Sequence, residues 1–271
     1  MKSFFPDTMA SSVIYAAVKL EVLVENKTVS WATGFIIDEK DFLSLYTCWH
    51  IVTGCDPHKL PKTLPEKRTR LKIHTQIETK QNESVTSYGG STQLSIDLYD
   101  QGSKPIWFQG EPQEGTENGE IPVPNWDCIR ININQFRNDL IGWFHPTDQI
   151  TRRIDVCHPV HIVGYPYGYS ANESGPEPVF LGRHVASSTG PRFYTLLDGA
   201  GARGMSGSPV IAKHEGKWKL IGIYCGTIFP ESAHFRDDLY GKDGKSDLPL
   251  GKFIDSIIAR GVVGAPVYEK N

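Results

Sequence analysis

No charge of one sign dominates this chain of 271 residues: 28 Lys and Arg stand against 31 Asp and Glu, a formal net charge of −3. Proteins that grip nucleic acid through its phosphates carry a basic face, so nucleic acid is not an expected partner. The one dense basic run, Lys67-Arg68-Thr69-Arg70-Leu71-Lys72, reads as a solvated strand entry. Apolar runs near the ~20 residues that carry a helix across a bilayer are missing as well, so no membrane partner is expected. The opening Met1-Lys2-Ser3-Phe4-Phe5 is interrupted by Pro6-Asp7-Thr8, and the next apolar run, 13–18, ends at Lys19-Leu20-Glu21. Neither forms the uninterrupted apolar core of a secretion signal. The expected location is therefore cytoplasmic. Five cysteines cannot close a complete disulfide framework, and in a cytoplasmic protein they are expected as reduced thiols. Internal repeats and low-complexity blocks are absent too.

What is present is a succession of short runs rich in β-branched and aromatic residues, separated by turn signals, which predicts an all-β protein. A first set falls at 13–20, 31–37, 42–47, 70–77, 94–99 and 128–133, and a second at 160–164, 179–187, 193–197, 208–211 and 220–225. Gly, Pro and Glu between 110 and 125 mark a surface loop. This grouping predicts a barrel over 10–140, a connection over 141–155 and a second barrel over 156–271. One helix is expected at the C-terminus: Ser246 or Asp247 as cap, Pro249 in the first turn, Leu250, Phe253, Ile254, Ile257 and Ile258 at helical spacing, and Gly261 as the stop.

Gly204-Met205-Ser206-Gly207-Ser208-Pro209-Val210 is the most specific string. A serine among glycines, followed by Pro and an apolar strand, suits a hydroxyl on a tight, uncrowded turn. The backbone N–H groups of Gly204 and Ser206 can converge there as an oxyanion hole, each donor of which contributes ~3–4 kcal/mol to lowering the barrier. The bland reading is a Gly/Ser-rich hairpin. A serine hydroxyl needs a base, and His50 in Tyr46-Thr47-Cys48-Trp49-His50-Ile51-Val52 ends an apolar strand. A carboxylate must then hold the imidazole, and Asp127 in Trp126-Asp127-Cys128-Ile129 opens an alternating strand. Asp97 and Asp155 are the rival acids. The chain order His, Asp, Ser is one of several solutions to this geometry and the one used by the chymotrypsin class.

On these blocks the sequence resembles the bacterial trypsin-like peptidases of the chymotrypsin clan, on the side of the HtrA (Deg-type) proteases. Gly34-Phe35-Ile36-Ile37 with Thr47-Cys48-Trp49-His50 resembles the family's histidine block, and Asp127-Cys128-Ile129-Arg130 its aspartate block. Gly164-Tyr165-Pro166-Tyr167-Gly168 resembles its G-Y-P turn, and Gly204-Met205-Ser206-Gly207 its nucleophile block. The likeness spans about 13–260. It implies two six-stranded antiparallel β-barrels with a C-terminal helix, and a serine endopeptidase acting on protein or peptide substrates without cofactor or metal. Ser206 would be the nucleophile, His50 the base, Asp127 its orienting acid, and Gly204 and Ser206 the oxyanion donors. An edge strand near Tyr224, Cys225 and Gly226 would pair with an extended substrate. Ala200 stands where trypsin places an acid for basic side chains, which implies an uncharged pocket unless Asp198 reaches it. No peptide-binding PDZ module is expected after the helix. Met205 replaces the aspartate that pairs with a freed N-terminus in secreted digestive enzymes, so zymogen cleavage is not expected, nor is a histidine-loop disulfide at Cys48 or Cys55.

Other signals weigh less. His158 and His161 have a metal-like spacing, but on a strand they point to opposite faces. Cys48 and Cys225 lie near the site in sequence terms and read first as small apolar filler. Two rival functions remain open at this stage: an inactive protease fold that binds peptides as a scaffold, and an effector protease whose site is ordered by an unknown activating partner, as the loss of the Met205 ion pair allows.

Overall fold

The computed structural model describes residues 14–55, 57, 66–82, 85–116, 121–149, 154–187, 194–228 and 250–255. Alternating and continuous apolar runs become strands, and nearly every run named above forms one. In the first half these are β1 (Ala17–Val24), β2 (Lys27–Asp38), β3 (Leu43–Thr47), β4 (Arg70–Asn82), β5 (Val85–Asp97), β6 (Phe108–Gln109) and β7 (Ile129–Asn132). They pair antiparallel in the order β5-β4-β1-β2-β3-β7-β6, seven strands where six were expected. The β1–β2 connection is the two-residue turn Glu25-Asn26, with φ of 46° and 71°. Positive φ at both positions matches the twist of the flanking strands. A single helical turn, α1 (Trp49–Thr53), follows β3.

The second half supplies β8 (Pro159–Gly164), β9 (Val179–Ser187), β10 (Thr195–Leu197), β11 (Pro209–His214), β12 (Lys217–Ile228) and β13 (Leu250–Asp255). These close into a barrel in the order β10-β13-β12-β11-β8-β9. The expected C-terminal helix is corrected here: Leu250, Phe253 and Ile254 lie on a strand, while its remainder from 256 lies outside the described residues. Six residues of apolar periodicity do not discriminate helix from strand. The deciding term is long-range, because β13 pairs with both β10 and β12 and satisfies backbone groups that would otherwise form two open edges.

One apolar core runs from the first sheet across the seam, adding Val163, Tyr194, Ile211, Leu220, Ile223 and Cys225 to residues such as Leu20, Phe35, Leu45 and Ile131. A smaller core, including Val160, Ile162, Val185, Leu197, Met205 and Tyr224, fills the closed barrel. The connecting stretch is strapped to β2, with Phe144 N–H donating to Ile36 O and Asp38 N–H to Phe144 O, each at 2.9 Å. The described residues contain no helix long and apolar enough to cross a membrane.

Candidate active site

Three polar residues that the sequence singles out stand at the ends of strands on the seam. His50 sits in α1, immediately beyond β3, and Asp127 just before β7. The Asp127 carboxylate is buried and holds His50 twice: Oδ1 accepts the His50 backbone N–H at 2.9 Å, and Oδ2 lies 2.6 Å from Nδ1. An ionised carboxylate only accepts, so this contact assigns the imidazole proton to Nδ1 and leaves Nε2 as the lone-pair nitrogen. The rival acids are elsewhere. Asp97 is exposed and pairs with Arg70 at 2.7 Å, and Asp155 is exposed.

β7 is fixed beneath Asp127 by a buried polar cluster. Arg130 Nη1 lies 2.7 Å from Glu39 Oε2, and Tyr46 O–H donates to Glu39 Oε1 at 2.5 Å. Burial, together with the Glu39 charge, pushes the Tyr46 phenol well above its ordinary pKa, so it stays a donor.

Ser206 lies on the turn entering β11. Gly204 and Gly207, on either side of it, have φ of 89° and 86°, a region that favours glycine. Space enforces the choice as well: a Cβ on Gly207 would lie 2.1 Å from Thr33 O and 2.4 Å from Thr47 Oγ1, and one on Gly204 would lie 2.5 Å from Tyr165 O. The turn is therefore wedged against both sheets. Thr33 N–H donates to Ser206 O (3.1 Å), Thr33 Oγ1 to Gly204 O (2.8 Å), and Gly207 N–H to Tyr224 O (2.8 Å). Tyr224 O also receives the Cys48 thiol at 3.4 Å. One carbonyl thus ties the residue after Ser206 to the residue two before His50.

Among the described residues the same turn leaves two amides without an acceptor. Tyr167 N–H binds Arg203 O at 2.5 Å, and across a trans peptide the next N–H points the opposite way. Among the described residues, neither the Gly204 nor the Ser206 N–H donates a hydrogen bond. Met205 between them is fully buried in the closed barrel's core.

The neighbourhood expected to receive substrate is more closed than the sequence indicates. Around Tyr224, Cys225 and Gly226, β12 pairs with β13 on one side, while its pairing with β11 on the other runs only as far as Ile223. Beyond Tyr224 its β11 side is open among the described residues, because the chain has turned away at Ser206-Gly207. The Tyr224 ring is buried and its hydroxyl accepts the Gly201 N–H at 2.7 Å. Ala200 O receives Arg183 Nη2 at 2.7 Å, whereas Asp198 turns to His184 on β9, with its Oδ2 3.0 Å from Nδ1. The neighbouring His184 amide and imidazole hold the Asp198 carboxyl below its usual range. His161 packs edge-on against Trp218, with ring centroids 5.0 Å apart.

Two contributors escape sequence reading. Arg68, read as solvated, inserts its guanidinium at the end of α1, where Nη1 donates to His50 O at 3.0 Å and Ile51 O at 2.5 Å. His50 O also accepts the Gly54 N–H that caps α1, at 2.9 Å, and a cation at a helix C-terminus is electrostatically favoured. Its only sequence signal is a basic residue downstream of a short apolar helix. Arg68→Ala is expected to cost ~1–3 kcal/mol of stability and to slow labelling of Ser206 by a serine-directed probe, with Arg68→Lys recovering part of the rate. A thermal melt beside a labelling time course checks both. The second is Thr33, whose hydroxyl also accepts the Tyr165 N–H at 3.0 Å.

No family model and no curated protein matches the chain. Solved structures do. An HtrA-type protease, AlgW with tripeptide, is similar over 93% of this chain and 60% of its own, with a TM-score of 0.51 at 15% identity. The serine endoprotease from Yersinia pestis is similar over 95% and 66%, with a TM-score of 0.51 at 12% identity. The fold is that of an HtrA-type protease. The chain spans less than two thirds of the length of these structures. At such identities the likeness speaks for the double-barrel architecture, and the site has to be argued from its own geometry.

Proposed function

We propose that the chain is a serine endopeptidase with His50, Asp127 and Ser206 as its triad. The observation that carries the reading is the double grip of Asp127 on His50, across 77 residues of sequence, with Tyr224 O linking the serine turn to Cys48, two residues before His50. Ser206 Oγ attacks the scissile carbonyl while His50 Nε2 takes its proton. Asp127 holds the Nδ1–H tautomer and stabilises the imidazolium. The Gly204 and Ser206 N–H groups receive the oxyanion. His50 returns the proton to the leaving amine, and a water activated by the same nitrogen hydrolyses the acyl-enzyme. The open side of β12 beyond Tyr224, with Cys225 and Gly226, takes the extended peptide backbone. Ala200 contributes to an uncharged pocket, a reading supported by the engagement of Asp198 with His184.

The division into barrels over 10–140 and 156–271, joined by 141–155, belongs to this reading, as does a cytoplasmic setting, which the five free thiols support. The order already present in the serine turn favours activity without an activating partner. Incubation of the purified chain with a fluorophosphonate probe is expected to label it stoichiometrically, and Ser206→Ala to abolish labelling. A folded parent that stays unlabelled would leave the scaffold reading in its place.

A further inference from the structure

Beside Asp127, two thiols from different halves of the chain lie close together. Cys48 follows β3 and Cys225 lies on β12, and both are buried. Their Sγ atoms and an Asp127 carboxylate oxygen all lie within 4.8 Å of one another. Cys48 Sγ donates to Tyr224 O at 3.4 Å. Cys225 Sγ is placed between Ile223 O, also at 3.4 Å, and Asp127 O at 3.6 Å. Each thiol therefore has only weak carbonyl partners to lose on rotating toward the other.

The three atoms invite comparison with a site for a thiophilic metal ion, but the chemistry disfavours it. Both Asp127 oxygens are already committed to His50, and a metal would require two thiolates in a place where burial holds the Cys48 thiol strongly protonated. A disulfide leaves no charge in the core and does not use the carboxylate.

We propose that Cys48 and Cys225 form a reversible disulfide between the two sheets under peroxide, and that this bond restrains the catalytic seam. Because both thiols are buried and Cys48 is held protonated, the reaction is slow and waits on opening of the seam. Peroxide then converts one exposed thiolate to a sulfenic acid, and with the thiol's proton the peroxide's second oxygen leaves as water. The second thiol then displaces the hydroxyl as a second water, so two S–H bonds are exchanged for one S–S bond and the peroxide is fully reduced. Drawing two sulfurs from non-bonded contact to about 2 Å shifts Cys225 off Asp127 O and pulls β12 toward β3. Tyr224 O, which holds the Gly207 N–H and hence the serine turn, moves with it. The cross-link does not rest on the peptidase reading, whereas its effect on Ser206 does.

The test treats the native chain with hydrogen peroxide at a dose that fully oxidises the exposed Cys157, then alkylates it under denaturing conditions for peptide mapping. A cross-linked Cys48–Cys225 peptide pair about 2 Da lighter than its two reduced peptides together and a rise in melting temperature of roughly 5 °C or more are expected, both reversed by dithiothreitol. Cys48→Ala should give neither of these. Full alkylation of both thiols, or a bond to another cysteine instead, would overturn the cross-link. Fluorophosphonate labelling of Ser206 is expected to slow at least severalfold in the oxidised form and recover on reduction. A mapped cross-link with unchanged labelling in a parent that labels normally overturns the coupling to the seam, and a parent that never labels marks failure of the peptidase reading instead.

Discussion

Asp127→Asn should leave the fold intact and lower turnover of a peptide substrate by about ten-thousandfold. The amide is nearly isosteric, so the 2.9 Å contact with the His50 backbone N–H survives through its carbonyl oxygen. The other contact changes character. At 2.6 Å from Nδ1 the carboxylate accepts a proton-bearing nitrogen, whereas an amide NH2 in that position donates. The imidazole must then carry its proton on Nε2, where it cannot take one from Ser206. Stabilisation of the imidazolium is lost as well, because the neutral amide replaces a negative charge in a buried site where charges are weakly screened. The measurement is kcat/KM beside a thermal melt. A fall of less than tenfold, with the melt unchanged, would mean that another acid orients His50. No other acid is bonded to His50 among the described residues, and Asp97 is held by Arg70.

The second large effect is on stability. Met205→Asp introduces the acid that secreted digestive enzymes carry beside the nucleophile, and it is expected to destabilise this protein by about 3–5 kcal/mol. Met205 has no exposed surface and packs among Ile162, Leu197, Val210 and Tyr224. A carboxylate there has no cation to pair with among those neighbours, and burial favours its protonated form. The folded-state pKa of the new acid then lies above its unfolded value, so the folded state binds more protons and stability falls as pH rises. The deficit should be largest near neutral pH and shrink as pH is lowered toward 4. Melts across that range check the sign, and a deficit that grows on acidification would show that the new acid is ionised and paired.

His50 and Asp127 were legible in the sequence because each is a polar residue placed where an apolar strand stops, and Ser206 because glycines surround it. Those are local signals. The same locality explains the misreadings. Leu250, Phe253 and Ile254 have helical spacing, yet the two flanking strands make them a strand. Arg68 looked solvated since its neighbours are basic, although its guanidinium reaches α1. The strand of the first sheet with no counterpart among the sequence runs, β6, is two residues long and too short for any periodicity. In each case the missing information is which distant backbone supplies the hydrogen-bond partner.

The wedge of Gly207 between Thr33, Thr47 and Tyr224 has one last implication. Every group assigned to bond cleavage lies along a joint that neither half of the polypeptide can build alone. On the peptidase reading, cohesion of that joint, rather than the endurance of either half, is expected to govern how long a single molecule keeps working, with a slight parting of the halves silencing it while most of the secondary structure is still in place.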